Sequence, residues 1–448
     1  MSSKKVAGAS SSKESQTREQ GAPSTLLPKL RFPEFRDAAR WDVTILGELS
    51  EVVRGGSPRP IDAFMTTSAD GLNWLKIGDV DKEAKFVTQT AEKVRREALN
   101  KTRVVNPGDL ILSNSMSFGR PYILQITTCI HDGWIAITKI SKTIDRDFFY
   151  YLILAPGSQS YFLDNAAGSG VLNLNADIIT ALRVCFPKRP EQQKIAECLS
   201  SVDELLAAQA RKVNALKTHK RGLMQQLFPR EGETQPRLRF PEFQSAGEWE
   251  TKRVDERGNV LAGKALAVNA PGPLRPYLRT RNVLDGAIDL SDVLTMPMTD
   301  AEFSRFEVLD GDILLNEGQS LGLVGRASIY RGEFGQRCAM QNALLRFRAF
   351  PSTCPEFAAQ AFQKCQKDGT FASIATQTTS VAHLGSSRFS ALELAWPLTF
   401  AEQQRIATCL SSLDALITAE TQKHAALKTH KKGLMQQLFT SPDERKSL

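Results

Sequence analysis

The chain contains itself twice, and this limits its possible folds more than any other feature. Residues 190–229 return as residues 401–440, an offset of 211, with 26 of 40 positions identical. Shared runs include GluGlnGln, CysLeuSerSer, AlaLeuLysThrHisLys and GlyLeuMetGlnGlnLeuPhe. Pro28-Lys-Leu-Arg-Phe-Pro-Glu-Phe35 returns, with one change, as Pro236-Arg-Leu-Arg-Phe-Pro-Glu-Phe243, an offset of 208. A period near 210 is far too long for a solenoid repeat, so the unit that was duplicated is a domain with a helix attached.

Between the matched ends the copies diverge, although a frame survives. Trp74-Leu-Lys-Ile-Gly-Asp-Val80 stands beside Tyr277-Leu-Arg-Thr-Arg-Asn-Val283, and Pro107-Gly-Asp-Leu-Ile-Leu-Ser113 beside Asp310-Gly-Asp-Ile-Leu-Leu-Asn316. One scaffold carrying two sets of loop chemistry suggests two related tasks on two different targets. Short apolar runs bounded by Gly and Pro predict strands at Asp109–Leu112, Tyr122–Ile126, Trp134–Ile140, Ile313–Leu315 and Ala343–Phe347. Helical stretches are expected at Arg146–Leu154 and Pro355–Lys367. The fold class is α+β. The organisation reads as a Ser-rich tail (1–24), a first domain (25–189), a helix (190–229), a linker (230–235), a second domain (236–400), a helix (401–440) and a short tail (441–448).

The matched segments carry a different pattern. Apolar residues step by 3 and 4 through Ile195, Leu199, Val202, Leu206, Val213, Leu216, Leu223 and Leu227, and through Ile406, Leu410, Leu413, Ile417, Leu427, Leu434 and Leu438. One apolar stripe opposite a charged face describes a long helix made to pack on another helix. Polar residues interrupt the stripe at Gln209, Lys220, Glu420, His424 and Lys431. Since the copies match, the two helices are expected to pair as an antiparallel coiled coil with pseudo-two-fold symmetry, with the domains at opposite ends of a rod.

Charge and cysteines exclude several classes. The net charge of +8 is spread thinly, and residues 236–400 are neutral, so no polybasic arm exists. The seven cysteines form no CxxC pair, which removes zinc ribbons and dithiol redox motifs. With no secretory signal and no long apolar run, the expected location is the cytoplasm, away from any membrane.

Catalytic motifs are mostly missing. Gly258-Asn-Val-Leu-Ala-Gly263-Lys264 fits a phosphate-loop spacing, but Ala265 replaces the Ser or Thr that would hold Mg²⁺, and no helix can start in the Pro-rich stretch that follows. Pro60-Ile-Asp62 with Glu83-Ala-Lys85 loosely mimics a nuclease set, with the lysine expected in a solvated loop. No nucleophile elbow, dinucleotide turn or metal-ligand cluster is present. The chain reads as a binder without metal, cofactor or catalytic residues. Its candidate contacts are polar loop residues: Arg54, Ser57, Arg59, Lys76, Ser113, Asn114, Ser117 and Arg120 in the first copy. In the second they are Lys264, Arg279, Arg281, Asn282, Asn316, Gln319, Ser320 and Arg326. Guanidiniums suit phosphate and guanine, and small polar groups suit base edges.

These features together resemble the specificity subunits of type I restriction–modification enzymes. The resemblance rests on LysLeuArgPheProGluPhe, ArgGlyGlySerPro, TrpLeuLysIleGlyAspVal, AsnProGlyAspLeuIleLeuSer and the two GluGlnGln-to-helix junctions, and it covers roughly residues 28–440. The second copy departs from it, with LeuAlaGlyLysAlaLeu where the first has ArgGlyGlySerPro. It implies two target-recognition domains, each reading half of a split, asymmetric site in double-stranded DNA, with helices that set the spacing. It further implies two adenine-N6 methyltransferase (modification) subunits and two restriction/translocase subunits as partners, with S-adenosylmethionine, ATP and Mg²⁺ bound only there. The alternative is a coiled-coil scaffold that does not read DNA.

Overall fold

The computed structural model describes residues 27–114, 118–166, 173–265, 267, 269–378 and 380–441. The expected tails and Ser117 lie outside these residues, apart from Ser441. The chain divides into two compact units, Met1–Leu206 with Ala426–Leu448, and Ala207–Ala425. Each unit therefore takes part of both long helices, Arg189–Leu227 and Phe400–Leu438. Each helix segment also contributes side chains to the core of its unit.

In the first unit, the strands Glu51–Arg54, Trp134–Thr138, Leu110–Ser113, Pro121–Leu124 and Phe86–Val87 form one five-stranded sheet. A second sheet of five short strands includes Leu72–Leu75 and Thr128–Ile130. The helix Arg146–Leu154 starts on Asp145, whose carboxylate caps the amides of Asp147 and Phe148. It buries Phe148, Phe149, Tyr151 and Leu152 in one core with Ile195 and Leu199 of the central helix and Leu438 of the C-terminal helix. The second unit repeats the plan. The strands Gly258–Ala262, Leu344–Ala349, Ile313–Asn316 and Ala327–Ile329 form its main sheet. The helix Pro355–Lys367 packs Phe357 and Phe362 against Met224, Leu227, Ile406 and Leu410. Mixed strands and helices were expected, and both domain helices have the residue bounds expected from sequence.

The repeated motifs now have physical reasons. Arg31 forks onto Glu191 (2.8 and 2.7 Å) and also donates to the Ala38 and Ala39 carbonyls. Arg239 makes the same set with Glu402 (2.7 and 2.7 Å), Ala246 and Gly247. The indoles of Trp41 and Trp249 complete each carboxylate's shell. The Leu30 amide donates to the Gln437 carbonyl, and the Leu238 amide to the Gln226 carbonyl, so each motif strand is tied to the end of a long helix. The next residue of the junction, Gln192 or Gln403, accepts from the amide at which the domain helix begins, that of Asp145 (2.7 Å) or Cys354 (2.8 Å). The buried GluGln pair that opens each junction, Glu191-Gln192 or Glu402-Gln403, thus fastens a helix to a domain through hydrogen-bonded polar groups.

Within each unit the long helices run antiparallel. In the second, Gln209 donates to Glu420 (2.6 Å) and Lys220 to Asp414 (2.7 Å). Partner numbers fall as residue numbers rise. In the first unit Lys431 meets Asp203 (2.6 Å). Gln209 and Glu420 are 211 apart, the repeat offset itself, so the pair is its own image under the duplication. Of the expected stripe, Ile195, Leu199, Val202, Val213, Leu227, Ile406, Leu410 and Leu438 are buried. Leu206, Leu216, Leu223, Leu413, Ile417, Leu427 and Leu434 are only half-buried, whereas Met224 and Met435, absent from the expected stripe, are buried. The stripe turns because the helix ends pack on domain aromatics: Phe228 stacks on Phe357 at 5.2 Å between ring centres.

Candidate nucleic-acid interface

One end of the main sheet gathers the candidate residues of the first unit. Strand register sets Arg54 beside Ile135 and Ser113 beside Trp134. The Gly55 amide bonds the Trp134 carbonyl (2.8 Å), and the Asn114 amide bonds the Gly133 carbonyl (3.0 Å). A Cβ on Gly55 would stand 2.2 Å from the His131 carbonyl oxygen, so only glycine allows this approach. The segments 54–59, 113–114, 118–120 and 131–133 therefore share one edge. At its centre Asp132 accepts from Ser57 (2.9 Å) and lies 3.8 Å from the exposed Arg59 guanidinium, while Arg54 donates to the Asp132 carbonyl (3.0 Å).

The second unit builds the same edge from other residues. Gly263 holds the Gly55 position: its amide bonds the Leu344 carbonyl (3.0 Å), and a Cβ there would stand 2.2 Å from the Gln341 carbonyl oxygen. LeuAlaGlyLysAlaLeu, where the sequence pattern broke, thus keeps the backbone device and changes only the side chains. Lys264 pairs with Glu302, whose carboxyl is held down to about 2, first by the lysine and then by the Thr299 amide. Asn282 accepts from the Arg279 amide (2.9 Å), as Asp79 does from the Lys76 amide (2.9 Å).

Several candidate side chains face inward. Ser113, Asn114, Asn282 and Asn316 are buried. Asn282 donates to the carbonyls of Asp289 and Asp292, and Asn316 to that of Val283. Burial removes these four from the groups that can meet a base directly in this structure; Asn282 and Asn316 organise their loops instead. The cations mostly face carboxylates: Lys76 with Glu92 (2.6 Å), and Arg279 and Arg281 with Asp292. Arg54, Arg120 and Arg326 have no carboxylate partner among the described residues, and Gln319 and Ser320 reach solvent. Lys85 corrects the sequence expectation of a solvated loop: it is 15% exposed, bonds Asp147 and Ser200, and sits over the Tyr151 ring. The sequence does not single out Asp132, nor does it show that Glu317, one of the polar residues of the 316–320 loop, pairs with His383 (3.1 Å); that pairing joins residues 66 positions apart.

Among the described residues, no group of three His, Cys, Asp or Glu could hold a metal ion. No helix among them is long and apolar enough to cross a membrane. All seven cysteines are free thiols, and burial pushes those of Cys129, Cys338 and Cys354 up to about 11.

The sequence model of the type I restriction modification DNA specificity domain matches twice, over residues 39–218 and 247–429. The chain belongs to that family. Each match covers one recognition domain and its following helix, so the family's unit is the unit of duplication. Like this chain, the S subunit of a type I restriction–modification system from M. genitalium has the same fold, with a TM-score of 0.55 over 93% of this chain and 99% of that one at 13% identity. The chain is also similar to the MjaVIII specificity subunit of Methanocaldococcus jannaschii, 22% identical over 52% of each sequence. It thus spans about half the length of that relative. The EcoKI specificity subunit of Escherichia coli is 20% identical over 71% of this chain and 70% of its own.

Proposed function

We propose that this chain is the DNA-specificity subunit of a type I restriction–modification enzyme. Each recognition domain reads one half of a bipartite, asymmetric site, and the helices set the distance between halves. The observation that carries this reading is the pair of equivalent sheet edges. Their backbone devices match at Gly55 and Gly263, while the side chains they present differ: Ser57, Arg59 and Asp132 in one, and Lys264, Gln319 and His383 in the other. A shared frame with different polar groups is what two different base sequences require.

The helices support the partner assignment. Side chains packed in a core have reason to stay fixed after duplication, but exposed ones do not. Yet the exposed Leu205 and Leu416, Ala215 and Ala426, Lys217 and Lys428, His219 and His430, and Gln225 and Gln436 are identical pairs 211 apart. Leu205 is 57% exposed and Leu416 41%. Exposed residues shared in this way, even though neighbours such as Glu204 and Ala415 or Arg211 and Gln422 differ, fit two copies of one partner, here the adenine-N6 modification subunit, with restriction subunits joining afterwards. Methylation with S-adenosylmethionine and ATP- and Mg²⁺-dependent cleavage then belong to the partners, and this chain supplies recognition without chemistry, in the cytoplasm where the DNA is.

The test exchanges residues 25–189 for the corresponding domain of a divergent relative. One half of the recognised site should change and the other persist. A change in both halves, or in neither, would refute the modular assignment. Binding that stays indifferent to sequence with the modification subunit present would favour a scaffold.

A further inference from the structure

A carboxylate in each unit joins three elements at one point. In the second unit, Asp414 of the C-terminal helix receives Lys220 of the central helix at 2.7 Å on both oxygens. It also receives the Gln360 side chain of the domain helix Pro355–Lys367 at 2.8 Å. Lys220 is 6% exposed, and its ammonium also approaches the Gln363 side chain (3.4 Å). In the first unit, Asp203 of the central helix receives Lys431 of the C-terminal helix (2.6 Å) and the hydroxyl of Tyr151 (2.7 Å) from the domain helix Arg146–Leu154. The ammonium of Lys431 also lies 5.3 Å from the Tyr151 ring centre. The lysines are related by the repeat offset of 211, and so are the aspartates. Tyr151 and Gln360 are 209 apart on equivalent domain helices.

Stability alone explains this arrangement poorly. The Asp414 and Asp203 side chains keep 42% and 28% exposure, so the pairs are only part-buried. A desolvated ion pair roughly breaks even against well-packed apolar residues of similar volume, and its best-attested benefit is to fix one register among several. The helix seam already offers apolar residues on both sides. A Lys–Asp pair kept in both units, with each aspartate also bonded to the domain helix, specifies geometry: it has one arrangement in which three polar groups are satisfied, whereas an apolar contact tolerates sliding.

We infer that Lys220–Asp414–Gln360 and Lys431–Asp203–Tyr151 are positioning nodes. Each fixes how a recognition domain sits on its helix pair, and so how many unread base pairs the half-sites must enclose. Successive base pairs are ~3.4 Å apart along B-DNA, so small slips of a domain on its helices change the permitted spacing. These are positioning residues that touch no DNA, and the inference rests on the proposed reading of split sites.

The test uses the full chain with its modification subunit, and duplexes whose half-sites stand at the native spacing or one base pair wider or narrower. The variant Lys220→Met/Asp414→Leu removes the node without leaving an unpaired charge, and Lys220→Asp/Asp414→Lys reverses it. The expected result for the Met/Leu variant is unchanged half-site sequences with discrimination against the altered spacings reduced at least roughly tenfold, the size of one mismatched base pair. The reversed pair should restore part of it. Folded variants that keep full discrimination would overturn the inference, as would failure of both variants to fold, because the node would then carry stability and not position. A wild-type chain with no spacing preference at all would instead overturn the split-site reading beneath it.

Discussion

Replacing Arg239 by Met tests the central structural device of each unit, the buried fork under the LeuArgPheProGluPhe motif. The Arg239 side chain is 7% exposed and that of Glu402 is 1% exposed. The substitution keeps apolar volume but leaves the Glu402 carboxylate with only the Trp249 indole (3.1 Å) among the side-chain donors that held it. It also frees the carbonyls of Ala246 and Gly247. Removing one partner of a buried pair costs ~3–5 kcal/mol, because the remaining charge stays desolvated. In a unit of this size each kcal/mol lowers Tm by roughly 2–4 °C, so the transition should fall by roughly 6–20 °C in scanning calorimetry. Arg31→Met should do the same to the first unit, where Glu191 is 3% exposed. The control is Lys188→Met, which breaks the exposed pair with Asp42 (2.7 Å; side chains 73% and 51% exposed) and should cost less than ~1 kcal/mol. Arg239→Met/Glu402→Met should lose less than Arg239→Met alone, since no orphan charge remains. If Arg239→Met were as mild as Lys188→Met, the fork would not fasten helix to domain and the explanation of the repeated motif would fail.

Other consequences are open to direct measurement. Gly263→Ala should destabilise the second unit by more than ~1 kcal/mol in urea unfolding, because the new methyl meets backbone at 2.2 Å and cannot be accommodated by a side-chain move. Glu302 titrates low, at about 2, because of Lys264. A depressed folded pKa means that the pair's contribution is present above the ordinary carboxylate pKa of ~4.3 and is lost as pH falls towards 2. Carboxyl NMR titration should show the Glu302 midpoint rising towards ~4.3 in Lys264→Met, and an unmoved midpoint would refute the cause. Arg54→Ala and Arg326→Ala remove cations without carboxylate partners and should each weaken binding of one half-site, with a salt slope smaller by ~1 if the contact is to phosphate. Leu416→Glu should reduce the modification subunits bound, measured by native mass spectrometry, from two to one.

The long helices were legible because their apolar steps of 3 and 4 persist despite a few polar interruptions, Arg146–Leu154 because a capping Asp145 precedes a dense apolar run, and Pro355–Lys367 because a proline opens its apolar run. The loops were less legible. A polar residue in a turn can serve a ligand or its own backbone, and sequence alone does not distinguish Asn282, which bonds three backbone groups of its own loop, from the exposed Arg281 next to it in the chain. Lys220 and Lys431 read as interruptions of a hydrophobic stripe. Their meaning depends on Asp414 and Asp203, which the helix pairing brings within 2.7 Å. Similarly, the sequence break at Gly263 looked like a lost motif, because the glycine's role lies in the backbone of a strand some 80 residues away.

The account stands most directly on one measurement: modified-base sequencing of DNA from cells that contain this chain and its modification subunit. It predicts adenine methylation at a single two-part motif, with two different half-sequences at a fixed separation. A continuous motif, identical halves, or no motif dependent on this chain would contradict it.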